Sequence, residues 1–254
     1  RALCEVTADA TRFLFDSVAL LAKLSRVDPA SVSGAGGMYA ASSVIFSFGG
    51  LSFAVGRRLL AAARAAVDET DVPELLLYRM MNFTHHFFEG DWGDAHEISD
   101  ELLREGLARG RTWDVLSYLL GQTDKRIAMG DFALARRQIA WNDEIWERYQ
   151  NELARSQHHY LTTRLLLEER RLTEARDSAQ TYYEEIQEPV LHVHALGLRG
   201  QAEALLGELD AAEATLVHCA AVIREQGELT VPQYMRSQYL RSRLLVDVAR
   251  LERA

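Results

Sequence analysis

Gly130-Asp131-Phe132-Ala133-Leu134-Ala135 and Gly207-Glu208-Leu209-Asp210-Ala211-Ala212 share one short pattern. A small or charged residue is followed by a polar one, a large apolar one, two of any kind, and Ala. Gly90-Asp91-Trp92-Gly93-Asp94-Ala95 and Arg170-Arg171-Leu172-Thr173-Glu174-Ala175 repeat it, and Gly49-Gly50-Leu51-Ser52-Phe53-Ala54 is a weaker copy. The copies begin at positions 49, 90, 130, 170 and 207, at intervals of 41, 40, 40 and 37 residues. A fixed period of this size is the mark of a repeat architecture.

Each position in the pattern has a physical role in a turn between two helices. Gly ends the first helix, because it adopts the left-handed conformation without a Cβ clash. Asp or Glu next to it suits the positive end of the following helix. The large apolar residue (Trp92, Phe132, Leu172, Leu209) plugs the corner, and the Ala lets two helices approach closely. Helix pairs are therefore expected at about 38–48 with 51–68, 73–89 with 92–109, 112–129 with 132–149, 152–168 with 172–187, and 190–206 with 209–227. An opening helix over 2–25 carries Phe13, Phe15, Val18, Leu21 and Leu24 on helical spacing, and a closing helix runs over about 233–252. Pro73, Pro189 and Pro232 fall at helix starts, where a missing N–H costs nothing. The expected fold is all-α, with about 12 helices: an opening helix and linker over 1–36, five pairs over 37–230, and a closing helix over 231–254.

Composition narrows the function. The 254 residues are 48% hydrophobic and 26% charged, so the chain can build a core and is not globally disordered. A net charge of −9, with Arg interleaved among Glu and Asp, argues against a nucleic-acid surface. Cys4 and Cys219 match no metal or redox spacing and read as free thiols of a reducing cytoplasm. Arg1 in place of an initiator Met suggests a fragment or processed chain, and no signal peptide is visible. The apolar segment from Gly34 to Gly56 is long enough to raise a membrane span. Its Gly and Ser content instead favours a buried helix pair, with a surface for a neighbouring domain or for homo-oligomerisation.

The Gly-Asp-large-x-x-Ala turn resembles that of the tetratricopeptide (TPR) repeat family, over roughly residues 37–250. The period departs from the family's 34 residues, and the Trp, Leu-Gly and Tyr positions of the family's first helix are missing. The longer period resembles the TPR regions of large bacterial signalling proteins, such as maltose-activator-like transcription regulators and ATPases joined to cyclases or kinases. The resemblance implies a single right-handed superhelical solenoid over 1–254. It also implies a binding or scaffold role rather than catalysis, with partners docked on the face made by the first helix of each pair. The expected partner is a protein, a peptide, another domain of the parent chain or a small effector, with no cofactor, metal, nucleic acid or membrane.

That register selects candidate groove residues. Tyr78, Asn82 and His85 form one helical stripe, and adding 40 gives Tyr118, Gln122 and Lys125. Adding 40 again gives His158 and Thr162, and the shorter last interval gives Arg199. Polar ladders of this kind suit an extended peptide or a polar ligand; the alternative is that they are simply the wet side of each helix. The pairs His85-His86, His158-His159 and His192 with His194 lack the i, i+4 spacing of helical metal ligands. Gly34-Ala35-Gly36-Gly37 lacks the Lys-Ser/Thr of a phosphate loop. Trp141 and Trp146 offer a further partner surface on a second helix. The alternative to binding is an all-helical enzyme that uses His85, His158 and neighbouring carboxylates as acid and base.

Overall fold

In the computed structural model the described residues are 10–24, 26, 28, 32–48, 51–92, 97–227, 231 and 233–253. Among them every regular element is an α-helix: α1 (Ala10–Leu24), α2 (Ala35–Phe48), α3 (Phe53–Ala66), α4 (Val72–Glu89), α5 (Asp100–Ala108), α6 (Thr112–Ala128), α7 (Phe132–Tyr149), α8 (Glu152–Glu168), α9 (Leu172–Glu185), α10 (Pro189–Leu206), α11 (Leu209–Gln226) and α12 (Gln233–Arg253). Cys4, Pro29, Gly49, Gly50, Gly93, Asp94, Ala95 and Pro232, which the sequence singled out, lie outside the described residues.

The turn motif folds the same way wherever it can be followed. Gly90, Gly130, Arg170 and Gly207 all adopt positive φ, between 61° and 81°. In each case the next residue's N–H reaches back over the turn: Asp91 to His86 O, Asp131 to Arg126 O, Arg171 to Leu166 O and Glu208 to Glu203 O, at 2.9–3.1 Å. This six-to-one bond closes a helix whose last carbonyls would otherwise be orphaned. Arg170 holds the left-handed conformation without being Gly. The alanines also behave as their position requires, since Ala135, Ala175 and Ala212 are fully buried. The weak copy departs: Leu51 and Ala54 are exposed, and Gly56 provides the close approach instead.

The helix expected from 92 begins later, at Asp100. Ser99 caps it by accepting from Leu102 N–H, and Asp100 and Glu101 place negative charge in its first turn. These are stronger start signals than Trp92, whose indole N–H donates to Phe87 O instead. Asp131 also caps its helix, through Leu134 N–H, whereas Arg171 and Glu208 make no side-chain cap.

The chain divides into two compact units, residues 1–121 and 122–254, with the division falling within α6. In the first unit α2 packs on α1, α3 and α4, and α4 packs on α3 and α5. Leu76, Met80, Phe83, Leu103 and Leu116 are among its fully buried side chains. The segment expected to be a buried helix pair is α2 with the start of α3. Ser43 and Ser47 turn their hydroxyls back onto the carbonyls of Ala40 and Ser43, so α2 is buried without leaving those oxygens unsatisfied. Gly36 sits against the backbone of Val67, so a Cβ there would fall 2.6 Å from Val67 Cα. On α1, Phe15 and Val18 are exposed while Leu24 is buried.

In the second unit α10 is the central element, packed by α8, α9, α11 and α12. Its sequence is apolar or small nearly all round, as a helix covered on every side must be. The bonds Cys219 Sγ to Val193 O and Thr215 Oγ1 to Glu203 Oε2 show α10 and α11 running antiparallel. Thr163 with Ser178 and His159 with Glu185 do the same for α8 and α9. No described helix is long and apolar enough to cross a membrane.

Gly36→Ala is expected to cost about 1–3 kcal/mol, because the opposing atoms are backbone and cannot rotate away. A shift of the denaturant midpoint at constant m-value measures it; unchanged stability would mean that α2 and the 67–74 segment do not approach as described.

Candidate functional site

Most of the stripe chosen from the sequence is packed rather than open. Tyr78, Asn82, His85, Tyr118, Gln122 and Lys125 are buried, while His158, Thr162 and Arg199 are half-buried. Their contacts show where the stripe points. His85 Nδ1 meets Ser47 Oγ at 2.5 Å, and the Tyr118 hydroxyl accepts the Ile98 N–H and the ring packs edge-on against Phe83. His158 Nδ1 lies 2.5 Å from Asp143 Oδ1 of α7, and Arg199 bonds Gln180 of α9. His85, Tyr118, His158 and Arg199 thus each face the helix pair before their own, and their polarity belongs to the seam between neighbouring pairs.

The serine, histidine and carboxylate of that seam have the sequence of a nucleophilic triad without its access. Ser47 Oγ, His85 and Glu89 form a chain, with His85 Nε2 at 3.3 Å from Glu89 Oε2 and Arg57 pairing the same carboxylate. Ser47 and His85 are sealed, and a Cβ on Gly56 would lie 2.7 Å from Ser47 Oγ and 2.9 Å from the His85 ring. No acyl group fits in that space. Burial lowers the His85 pKa, with the Glu89 charge opposing it. Among the described residues no three His, Cys, Asp or Glu side chains converge as metal ligands.

Of the polar residues that do meet across first helices, Asp124, Tyr160 and Arg164 sit two positions after stripe members. On a helix that is a turn of about 200°, nearly the opposite side. Asp124 of α6, Tyr160 and Arg164 of α8, His194 of α10 and Tyr234 of α12 form one buried network in the second unit. Arg164 Nε donates to Asp124 Oδ1 at 3.1 Å. Tyr234 and Tyr160 both reach Asp124 Oδ2, at 2.9 and 3.3 Å, with their hydroxyls 2.7 Å apart. His194 stacks on Tyr160 at 4.7 Å and stands edge-on to Tyr234 at 5.4 Å. Glu168 extends the network outward to Arg164 and Arg241. The sequence carried a signal for it: Asp124 and Arg164 are forty residues apart, so they are opposite charges at equivalent positions of successive pairs.

This network holds helices together and does not move protons near neutrality. Burial and the Asp124 charge push both phenols far above their ordinary range. Burial alone would lower the Arg164 pKa, but Asp124 beside it raises it. Burial drives the His194 pKa from 6.5 to about 4, so the ring is neutral in the fold.

An open site occurs in the first unit. A pocket of about 410 Å³ has a floor of Leu20 from α1, Met38, Ala41 and Ile45 from α2, and Leu77 from α4. Asp71, Glu74 and Arg111 add charged groups to the lining. Glu74 is fixed by the Gly37 N–H at 3.0 Å, Asp71 caps α4 through Glu74 N–H, and Arg111 is paired with Asp114. Sequence reasoning missed this pocket because its lining is apolar and the search followed polar ladders.

Arg164→Met leaves the Asp124 carboxylate buried without its cation and is expected to cost about 3–5 kcal/mol; adding Asp124→Asn recovers part of that loss. Thermal or denaturant unfolding of the two variants tests this, and equal losses would separate Arg164 from Asp124. Acid acts in part through His194. As pH falls from 6.5 toward 4 the unfolded chain binds a proton that the fold excludes, so stability drops, by up to about 3 kcal/mol. His194→Phe keeps the stack and should make the fall of Tm across that window shallower, leaving the contributions of His85 and His159, whose pKa values burial also lowers.

Compared with known proteins, the chain matches no family model, no curated protein and no solved structure.

Proposed function

We propose that this chain is a TPR-type binding module of a larger cytoplasmic signalling or transcription-regulatory protein, and that its role is recognition rather than turnover. The pocket on the first helices α2 and α4 is the observation that carries the reading. In the family that the repeat resembles, first helices form the docking face. The pocket's size and its apolar floor suit one or two apolar side chains of a peptide, or the apolar part of a small effector. The charged edge then selects orientation: Arg111 offers a cation to a carboxylate, and Asp71 and Glu74 offer acceptors to an amine or amide. The groove expected from Tyr78, Asn82 and His85 gives way in this reading to a site formed by the opposite chemistry.

The recurring hairpin supports a module that transmits binding. Helices in each unit pack on their neighbours and next neighbours, so a ligand wedged between two first helices biases the angle at which those pairs stack. In a parent protein, that angle would couple the pocket to an attached catalytic or DNA-binding domain.

A peptide selected from a display library against the whole chain should perturb the methyl resonances of Met38, Ile45 and Leu77. Ala41→Phe, which fills the pocket from its floor, should weaken that peptide at least tenfold without lowering helicity. Binding that leaves those methyls unmoved and is indifferent to Ala41→Phe would overturn the reading.

A further inference from the structure

The pocket of the first unit is built where three helices begin. Gly34 and Gly37 stand at the start of α2, Asp71 and Glu74 at the start of α4, and Arg111 immediately before α6. Its charged groups differ in what they are already doing. Glu74 is buried and committed on both oxygens: Oε1 accepts the Gly37 N–H at 3.0 Å and Oε2 the Asp68 N–H at 3.4 Å. Asp71 gives one oxygen, Oδ1, to the Glu74 N–H at 3.2 Å. Among the described residues nothing bonds its Oδ2, and no cation pairs with either carboxylate.

Arg111 is committed on one nitrogen and open on the others. Its Nε donates to Oδ2 of Asp114, a side chain only 3% exposed. A buried carboxylate that holds Nε fixes the plane of the guanidinium and leaves its two Nη groups as donors. Among the described residues nothing accepts from those Nη groups, and Arg111 makes no ion pair with Asp71 or Glu74. The lining therefore carries a cation with free donors and an anion with a free acceptor, which do not neutralise each other. They share a cavity of about 410 Å³ with an apolar floor of Leu20, Met38, Ala41, Ile45 and Leu77.

These groups discriminate among ligands. An internal peptide segment brings neutral amides and would leave the Arg111 and Asp71 charges facing uncharged groups. A simple amine or acid satisfies one of the two charges and covers the other without a partner, which costs binding energy. An apolar α-amino acid in its zwitterionic form carries a carboxylate, an ammonium and an apolar side chain on a single carbon. It matches all three features of the lining at once.

We infer that the pocket is a binding site for a free apolar α-amino acid. Arg111 takes the carboxylate through its Nη groups, Asp71 takes the ammonium through Oδ2, and the side chain lies on the floor. Asp114 orients the guanidinium, and Glu74 ties the start of α2 to the start of α4. This inference rests on the pocket being the site of recognition, and it narrows the ligand to one chemical class.

The probe is L-leucine, titrated into the whole chain by calorimetry and followed through the methyl resonances of Met38, Ile45 and Leu77. It is compared with N-acetyl-leucine, which lacks the ammonium, leucine methyl ester, which lacks the carboxylate, and N-acetyl-leucine amide, which lacks both. Removing either charge should weaken binding about tenfold, because a charged group of the pocket loses its partner. D71N keeps the cap of α4, since Asn caps as well as Asp. It should weaken L-leucine about tenfold and leave N-acetyl-leucine no weaker, whereas a merely structural role would weaken both alike. Equal weakening of the two ligands by D71N overturns the inference. If N-acetyl-leucine amide binds as tightly as L-leucine and moves the methyls, the inference is overturned and the pocket stands as a peptide site. If L-leucine moves none of them while a displayed peptide does, the inference again falls alone; if neither moves them, both readings fall.

Discussion

A left-handed residue followed by a backbone bond back across the last turn is the constraint on which the rest of this structure depends. The bond from Asp91, Asp131, Arg171 and Glu208 reverses the chain within a few residues and fixes which way the next helix leaves. Once direction and length are set, each helix can bury an apolar face only on the helices beside it in its own unit. Gly is the inexpensive choice at this position. Arg170 shows that the backbone pattern outlasts the residue that favours it, at a local strain of about 1 kcal/mol.

The helix boundaries were legible in the sequence because turn chemistry is local. Gly, Asp and Pro act within four residues of themselves, so the register and the starts at Pro73 and Pro189 could be read one turn at a time. The start of α5 was missed where two signals competed, and the Ser99 cap with its acidic first turn outweighed the repeat. Side-chain direction was harder. Polar residues recur both on the seam between pairs and on the face shared by first helices, and a period of 40 cannot tell these apart. The chosen stripe fell on the seam, while the opposite charges of Asp124 and Arg164 marked the shared face.

The two units solve burial differently. In the first, Gly36, Gly56 and the serines of α2 allow backbones to approach, and each hydroxyl is absorbed by a carbonyl or an imidazole. In the second, an ion pair and two phenols are taken out of water together, which is tolerable only because each is hydrogen-bonded. Small residues give close contact at little desolvation cost. A buried network costs more and specifies which helices meet.

The Tyr234–Asp124 bond spans 110 residues and joins the last helix of the second unit to its first. A stack held only by neighbour contacts frays from its free end, one pair at a time, and has no single melting event. Here α12 cannot peel away without uncovering the Asp124–Arg164 pair and the stacked His194. Loss of α12 therefore exposes that buried ion pair and ring together. α12 acts as a clasp across its unit, and under mechanical load the unit should yield in one step rather than by progressive unravelling.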